Sequence, residues 1–277
     1  MVINNNIGAL NTLNKLNANS AATTNALERL SSGLKINKAA DDAAGLAISQ
    51  KMLAQINGLN KASENAQNGI SLIQTAEGAL SETQSILQRM NELAVQAANG
   101  TNSDTDKTKL QDEVTQLNAA LNDIYKQTSF NDTTILKTDA TGSLFNTTGI
   151  TLQVGAFSGE TLKLSVGTTA VDASGLGVAT ISLSTDASSA LNAIKTAIND
   201  VSTYRSKLGA YQNQLTHTIN NLNTESENLT SAKSRITDVD MAAEMTEYTK
   251  NNILIQSSEA MLAQANQLPQ GVLSLLK

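Results

Sequence analysis

Residues 52–94 read MLAQINGLNKASENAQNGISLIQTAEGALSETQSILQRMNELA. Every seventh position from Met52 is apolar: Leu59, Ala66, Ile73, Leu80, Leu87 and Ala94. An apolar residue returning with the heptad marks a coiled-coil-like seam, and this run outlasts the three or four heptads that chance can supply. A second run starts at Ile194 and continues through Val201, Leu208, Leu215, Leu222, Leu229 and Ile236. Leu110, Leu117 and Ile124 form a shorter set, with Val114 and Leu121 on the alternate step. The first run predicts a helix over residues 47–99, about 80 Å long at ~1.5 Å per residue. The fold class is mainly α, with an elongated, coiled-coil-like helical rod.

The second position of each seam is often polar: Ser63, Glu77, Gln84 and Asn91 in the first run, Arg205, Gln212, Ser226 and Lys233 in the second. Two readings stand. Either the register is loose in a multi-helix bundle, or polar seam positions restrict partner and register at some cost in stability.

Composition supports long helix-on-helix packing. Aromatics are 3% of the chain, tryptophan is absent, and there is one proline in 277 residues. Proline interrupts helices, so its scarcity permits long ones. The net charge of −6, without a basic cluster, argues against nucleic acid as a partner. Zero cysteines exclude disulfides and thiolate metal sites. No apolar run is long enough for a membrane span, and the N-terminus lacks the pattern of a cleaved secretory signal.

Between the rods, over 130–185, the period changes. GITLQVGAFSGETLKLSVG alternates through Ile150, Leu152 and Val154, then Leu162, Leu164 and Val166, with FSGE as the turn. That pattern predicts a β-hairpin. GVATISLST, residues 177–185, is a further strand candidate. Glycine, serine and threonine dominate, as in exposed connections.

Both chain ends carry apolar stripes. Ile3, Ile7, Leu10, Leu13 and Leu16 lead to Leu27, Leu30 and Leu34, while Leu254, Met261, Leu268 and Leu275 recur in sevens with Ala265 and Val272 between. Each stripe has no evident partner except the other. A single helix of this kind does not recover its ordering entropy, so these ends are expected to fold only when neighbouring copies add apolar surface. They look like assembly surfaces.

Four blocks carry a family resemblance: LSSGLKINKAADDAAGLAIS (30–49), ISLIQTAEGALSETQSILQRMNELAVQAANGT (70–101), SRITDVDMAAEM (234–245) and the C-terminal NNILIQSSEAMLAQANQLPQGVLSLLK. In order and spacing the chain resembles bacterial flagellin over roughly 1–135 and 187–277. The resemblance implies a terminal two-helix inner-core domain, a surrounding rod domain and outward insertions. Here the middle is short, so outer domains are expected to be absent. The implied division is 1–46 inner-core helix and spoke, 47–129 N-terminal rod helices, 130–185 hairpin region, 186–236 C-terminal rod helix and 237–277 inner-core helix.

The same resemblance implies roles for particular residues. Ile3, Ile7, Leu10, Leu13, Leu254, Met261, Leu268, Val272 and Leu275 would mediate inner-core assembly. Gly33, Asp41, Asp42 and Gly45 fall in the implied spoke. Asp41 and Asp42 also suit a helix start, where aspartate satisfies free amides, and Gly33 and Gly45 would free the turns. Arg89, Leu93 and Glu113 match the family surface read by the animal Toll-like receptor for flagellin; from chemistry alone they are solvated-face or seam residues.

No catalytic constellation emerges. Some long flagellins carry a zinc-protease insertion with HExxH, but this chain has one histidine, His217, and no such motif. A lone histidine supplies neither a zinc-ligand set nor a base–nucleophile pair. No cofactor is expected. Asn99, Asn131, Asn146 and Asn228 begin N-x-S/T triplets, and in so asparagine-rich a chain coincidence explains most of them.

The expected function is the self-assembling subunit of the flagellar filament, exported unfolded by the flagellar route and folding its ends on polymerisation outside the cell. The alternative is a hook–filament junction protein. Besides other copies of itself, the resemblance implies an export chaperone, the filament cap and hook-junction proteins as partners.

Overall fold

A computed structural model of the chain describes residues 6–138, 143–146 and 148–275, with side chains described as far as Gln267. Helices are α1 (Ile7–Ser32), α2 (Ala43–Ala98), α3 (Asp104–Gln127), α4 (Ala187–Thr237) and α5 (Met241–Leu275). Strands are β1 (Ser129–Phe130), β2 (Thr133–Thr134), β3 (Ile150–Gln153) and β4 (Thr161–Leu164). Helix occupies 72% of it, about twice the share in an ordinary globular domain.

Short polar side chains start each helix by accepting otherwise free amide hydrogens. Asn6 Oδ1 accepts from Ala9 N–H, Asp42 Oδ1 from Gly45, Ser103 Oγ from Asp106, Asp186 Oδ1 from Ser189, and Asp240 Oδ1 from Ala242. Gly33 ends α1 at φ 72°, a left-handed conformation that glycine adopts without Cβ strain.

The chain divides into two compact units, Met1–Ala54 with Glu227–Lys277, and Gln55–Ser226. In the second unit the heptad residues form the core. Leu59, Ala66, Ile73, Leu80, Leu87 and Ala94 of α2 are at most 3% exposed, as are Ile194, Val201, Leu208 and Leu215 of α4. On α3 the alternate step lies deepest: Val114 and Leu121 are fully buried, while Leu110, Leu117 and Ile124 pack at the margin. Cross-links Asn60–Ser226, Ser63–Asn223 and Gln84–Arg205 show that α2 and α4 run antiparallel.

The expected hairpin forms as β3–β4, paired Ile150↔Leu164 and Leu152↔Leu162, with the turn at Phe157–Glu160. It sits where two α2 glycines leave room: a Cβ on Gly58 would come within 2.9 Å of Ala156 Cβ, and one on Gly69 would strike Leu152 Cδ1. Asn65 Nδ2 donates to Gln153 O, and Tyr211 Oη to Ser165 O, tying the hairpin to α2 and α4. A second, unexpected hairpin, β1–β2, turns on Asn131 and Asp132, both at positive φ.

Two sequence expectations fail in this region. GVATISLST is not a strand. Its backbone bonds are local at its start, where Gly177, Val178 and Ala179 N–H donate to Ser174 and Ala173 carbonyls. They then go to α3 side chains: Asn118 Nδ2 donates to Val178 O, and Gln111 clamps Ile181 O and Leu183 N–H. Nor is 130–185 mere exposed connection. Leu144, Phe145, Leu164, Val166, Val171 and Val178 are buried, and Phe145 meets Tyr204 edge-on at 5.0 Å.

Candidate functional site

The first unit contains the residues expected to mediate assembly. Helices α1 and α5 pair antiparallel, since Asn6 Nδ2 donates to Ala265 O, Asn19 Nδ2 to Ser258 Oγ, and Arg29 lies 3.8 Å from Glu244. Buried or half-buried positions recur at matching heptad spacing on both helices: Thr12, Leu16, Asn19, Thr23, Ala26 and Leu30 on α1, and Glu244, Tyr248, Asn251, Ile255, Ser258 and Leu262 on α5. Apart from Ala265, every other residue over 241–267 is exposed. Small and polar side chains dominate this seam and let the two backbones approach closely.

This corrects the stripe read from sequence. On α5 the true seam runs through Ile255 and Leu262, one residue beyond Leu254 and Met261. On α1, Leu16 and Leu30 join the seam, but Ile7, Leu10, Leu13 and Leu27 do not. Ile7 is 69% exposed, Leu10 58% and Met261 61%, with Leu13 and Leu254 near 40%. A groove of about 330 Å³ runs along Leu254, Ser257 and Met261 of α5, with Asn11, Thr12 and Lys15 as its α1 wall. Ile3 and the side chains of Leu268, Val272 and Leu275 lie outside the described residues.

The implied spoke segment is held by two backbone hydrogen bonds, which together make one isolated antiparallel bridge. Lys35 N–H donates to Thr237 O and Val239 N–H donates to Gly33 O, which pairs Leu34 with Asp238. Asp41 Oδ2 accepts from Lys38 and Asn37 N–H, which holds its carboxyl below the usual aspartate range. Asp42 caps α2, as its position suggested. Gly45 plays a different part from the expected one: it lies inside α2, buried, where a Cβ would approach Ile36 Cδ1 at 2.8 Å. It permits contact and frees no turn.

On the second unit, Arg89 bridges two helices. Its Nε and Nη2 both reach Glu113 Oε1 at 2.8 Å, and Nη1 reaches Glu92 Oε2 at 3.1 Å. The Glu113 hydrogen bond, with Glu92 second, raises the already high guanidinium pKa. Leu93 is only 1% exposed and belongs to the core. The three residues are therefore neighbours, but only Arg89 and Glu113 present side chains to solvent.

Among the described residues, no group of three or more histidine, cysteine, aspartate or glutamate side chains could hold a metal ion. His217 is exposed on α4. No described helix is long and apolar enough to cross a membrane.

A paired terminal helix unit with exposed aliphatic side chains and a separate, well-packed helical unit define a long-helix protein of structural rather than catalytic character. Comparison with known proteins identifies the family. The model for the bacterial flagellin N-terminal helical region matches residues 3–141, and that for the C-terminal helical region matches 191–276. Flagellin of Halalkalibacterium halodurans is 53% identical and flagellin of Bacillus subtilis 49% identical, each comparison covering all of both chains. The flagellar filament 31.3 kDa core protein of Treponema maltophilum is 43% identical, also over the whole of both chains. The chain belongs to the bacterial flagellin family and is a structural subunit of the flagellar filament.

Proposed function

We propose that this filament subunit polymerises with its own copies through the outward face of the α1–α5 pair. The observation that carries the reading is the one-residue offset on α5. The pair satisfies its own seam with Ile255 and Leu262, while Leu254 and Met261 remain in solvent along a groove they share with Asn11 and Lys15 of α1. Scattered exposed aliphatics are ordinary, but Leu254 and Met261 recur one heptad apart along a single groove, the pattern of a helical interaction surface. Neighbouring subunits bury it, and that burial supplies the ordering energy that a lone helix pair lacks. The spoke around Gly33, Asp41, Asp42 and Gly45 forms a second subunit contact.

The same reading places the chain outside the cell, delivered unfolded by the flagellar export route. An export chaperone, the filament cap and hook-junction proteins meet it on the way. The short middle segment gives a thin filament without large outer knobs. The Arg89–Glu113 pair is the surface offered to the animal Toll-like receptor for flagellin, with Leu93 supporting it from the core.

Seeding tests the reading. Purified chain added to filament fragments should extend them as seen by electron microscopy, whereas Leu254→Asp with Met261→Asp should not extend them. Extension by the double variant would refute the assigned face.

A further inference from the structure

We propose that Asn99–Gly100 is a site of spontaneous deamidation in the folded chain, set apart by the fold from two other Asn–Gly pairs. The sequence contains Asn57–Gly58, Asn68–Gly69 and Asn99–Gly100. The reaction is intramolecular. The backbone nitrogen of the glycine, losing its proton, attacks Cγ of the asparagine; the new N–Cγ bond forms as Cγ–Nδ2 breaks and ammonia leaves. The resulting succinimide is opened by water at either carbonyl, giving aspartate or isoaspartate. Neither oxidant nor cofactor is consumed.

The attack needs an available glycine nitrogen and a backbone outside the helical hydrogen-bond ladder. Gly58 and Gly69 have neither. Both lie inside α2, where each amide hydrogen is engaged by the carbonyl four residues back. Both are also pressed against the hairpin, Gly58 by Ala156 and Gly69 by Leu152. Asn99 and Gly100 follow the last residue of α2, Ala98, and precede the Ser103 cap of α3. Both are exposed. Gly100 N–H has no acceptor among the described residues, and nothing lies within 4 Å of where its Cβ would stand. The asparagine Oδ1 is held only by a 3.4 Å bond from Thr101 N–H. Conversion would place a carboxylate against the negative end of the α2 dipole, an unfavourable position.

The test is to incubate the purified, folded chain at mildly alkaline pH and follow tryptic peptides by mass spectrometry. Fragmentation locates the site, and isoaspartyl methyltransferase labelling detects the rearranged product. Asn99 should convert about tenfold or more faster than Asn57 and Asn68, which react only after local opening of the helix. In chain unfolded by urea the three sites should react at similar rates. Gly100→Ala, which the open space accommodates, should slow Asn99 without unfolding the protein. Equal rates in the folded chain would overturn the proposal. So would a persistent difference in urea, because local sequence rather than fold would then be the cause.

Discussion

Arg205 on α4 donates through Nη1 to Gln84 Oε1 on α2 at 2.6 Å, while its Nη2 lies 3.6 Å from Glu77 Oε1. Glu77 and Gln84 are one heptad apart, so the guanidinium spans a full repeat of the facing seam. Ser63 meets Asn223 and Asn60 meets Ser226 further along. Polar seam positions thus tend to find polar partners in the antiparallel alignment, which supports their role in fixing register. Sliding the helices would leave these groups facing apolar side chains. The arrangement already carries a cost, since Arg205 Nε is buried without an acceptor.

Arg205→Ala should therefore lower stability by about 1–3 kcal/mol, the range for losing a hydrogen bond to a charged group and leaving its partner unpaired. A double-mutant cycle with Gln84→Ala should give a coupling of about 0.5–1.5 kcal/mol in urea unfolding. Strict additivity would show that the contact does no work in the folded state.

A carboxylate should separate core from assembly face. Leu215 is fully buried, so Leu215→Asp should destabilise the second unit by several kcal/mol. Met261 is 61% exposed, so Met261→Asp should change monomer stability by no more than about 0.5 kcal/mol. Its effect should appear in filament yield. Thermal melts of both monomers check the division.

Phe145 is one of three phenylalanines and packs fully buried against Tyr204. Phe145→Ala should cost about 3–5 kcal/mol in urea unfolding, as for a core aromatic. A cost below about 1 kcal/mol would return the 143–183 region to the status of dispensable connection.

How much of this was legible depends on what each seam is made of. The α2 and α4 repeats place Ile, Leu and Val in the core, so hydropathy alone located them. The α1–α5 seam relies on Asn19, Thr23, Asn251 and Ser258, residues with no apolar signal, and on the small Ala26, and the larger aliphatics beside them drew the reading one position off. The segment 177–185 has a strand-like alternation of Val178, Ile181 and Leu183. Its side-chain partners on α3, Gln111 and Asn118, lie 70 and 60 residues upstream and cannot be inferred from local pattern. The β1–β2 turn did leave a signal, because Asn-Asp between two short β-prone stretches suits two positive φ angles. Leu93 reads as a surface residue in its motif, but the heptad phase of Leu87 and Ala94 puts it beside the seam.

Acid should loosen the 33–42 segment. Asp41 has a lowered pKa because Lys38 and then Asn37 donate backbone hydrogen bonds to its ionised carboxyl. The contribution is complete above the ordinary aspartate pKa of about 3.9 and is lost as pH falls through the lower folded value. NMR titration should place the Asp41 midpoint below that of an unfolded peptide, and Asp41→Asn should remove this part of the acid sensitivity. A midpoint at or above the peptide value would contradict the hydrogen-bond account.

If α1 and α5 pair through one face and offer another to neighbouring subunits, the two faces can be separated by substitution. The quantity to measure is the fraction of protein sedimenting as filament after seeding, compared for Leu254→Asp/Met261→Asp and the unsubstituted chain at matched concentration. The double variant should stay in the supernatant while its monomer melts like the parent. Normal sedimentation of the variant, or loss of its monomer fold, would contradict the account.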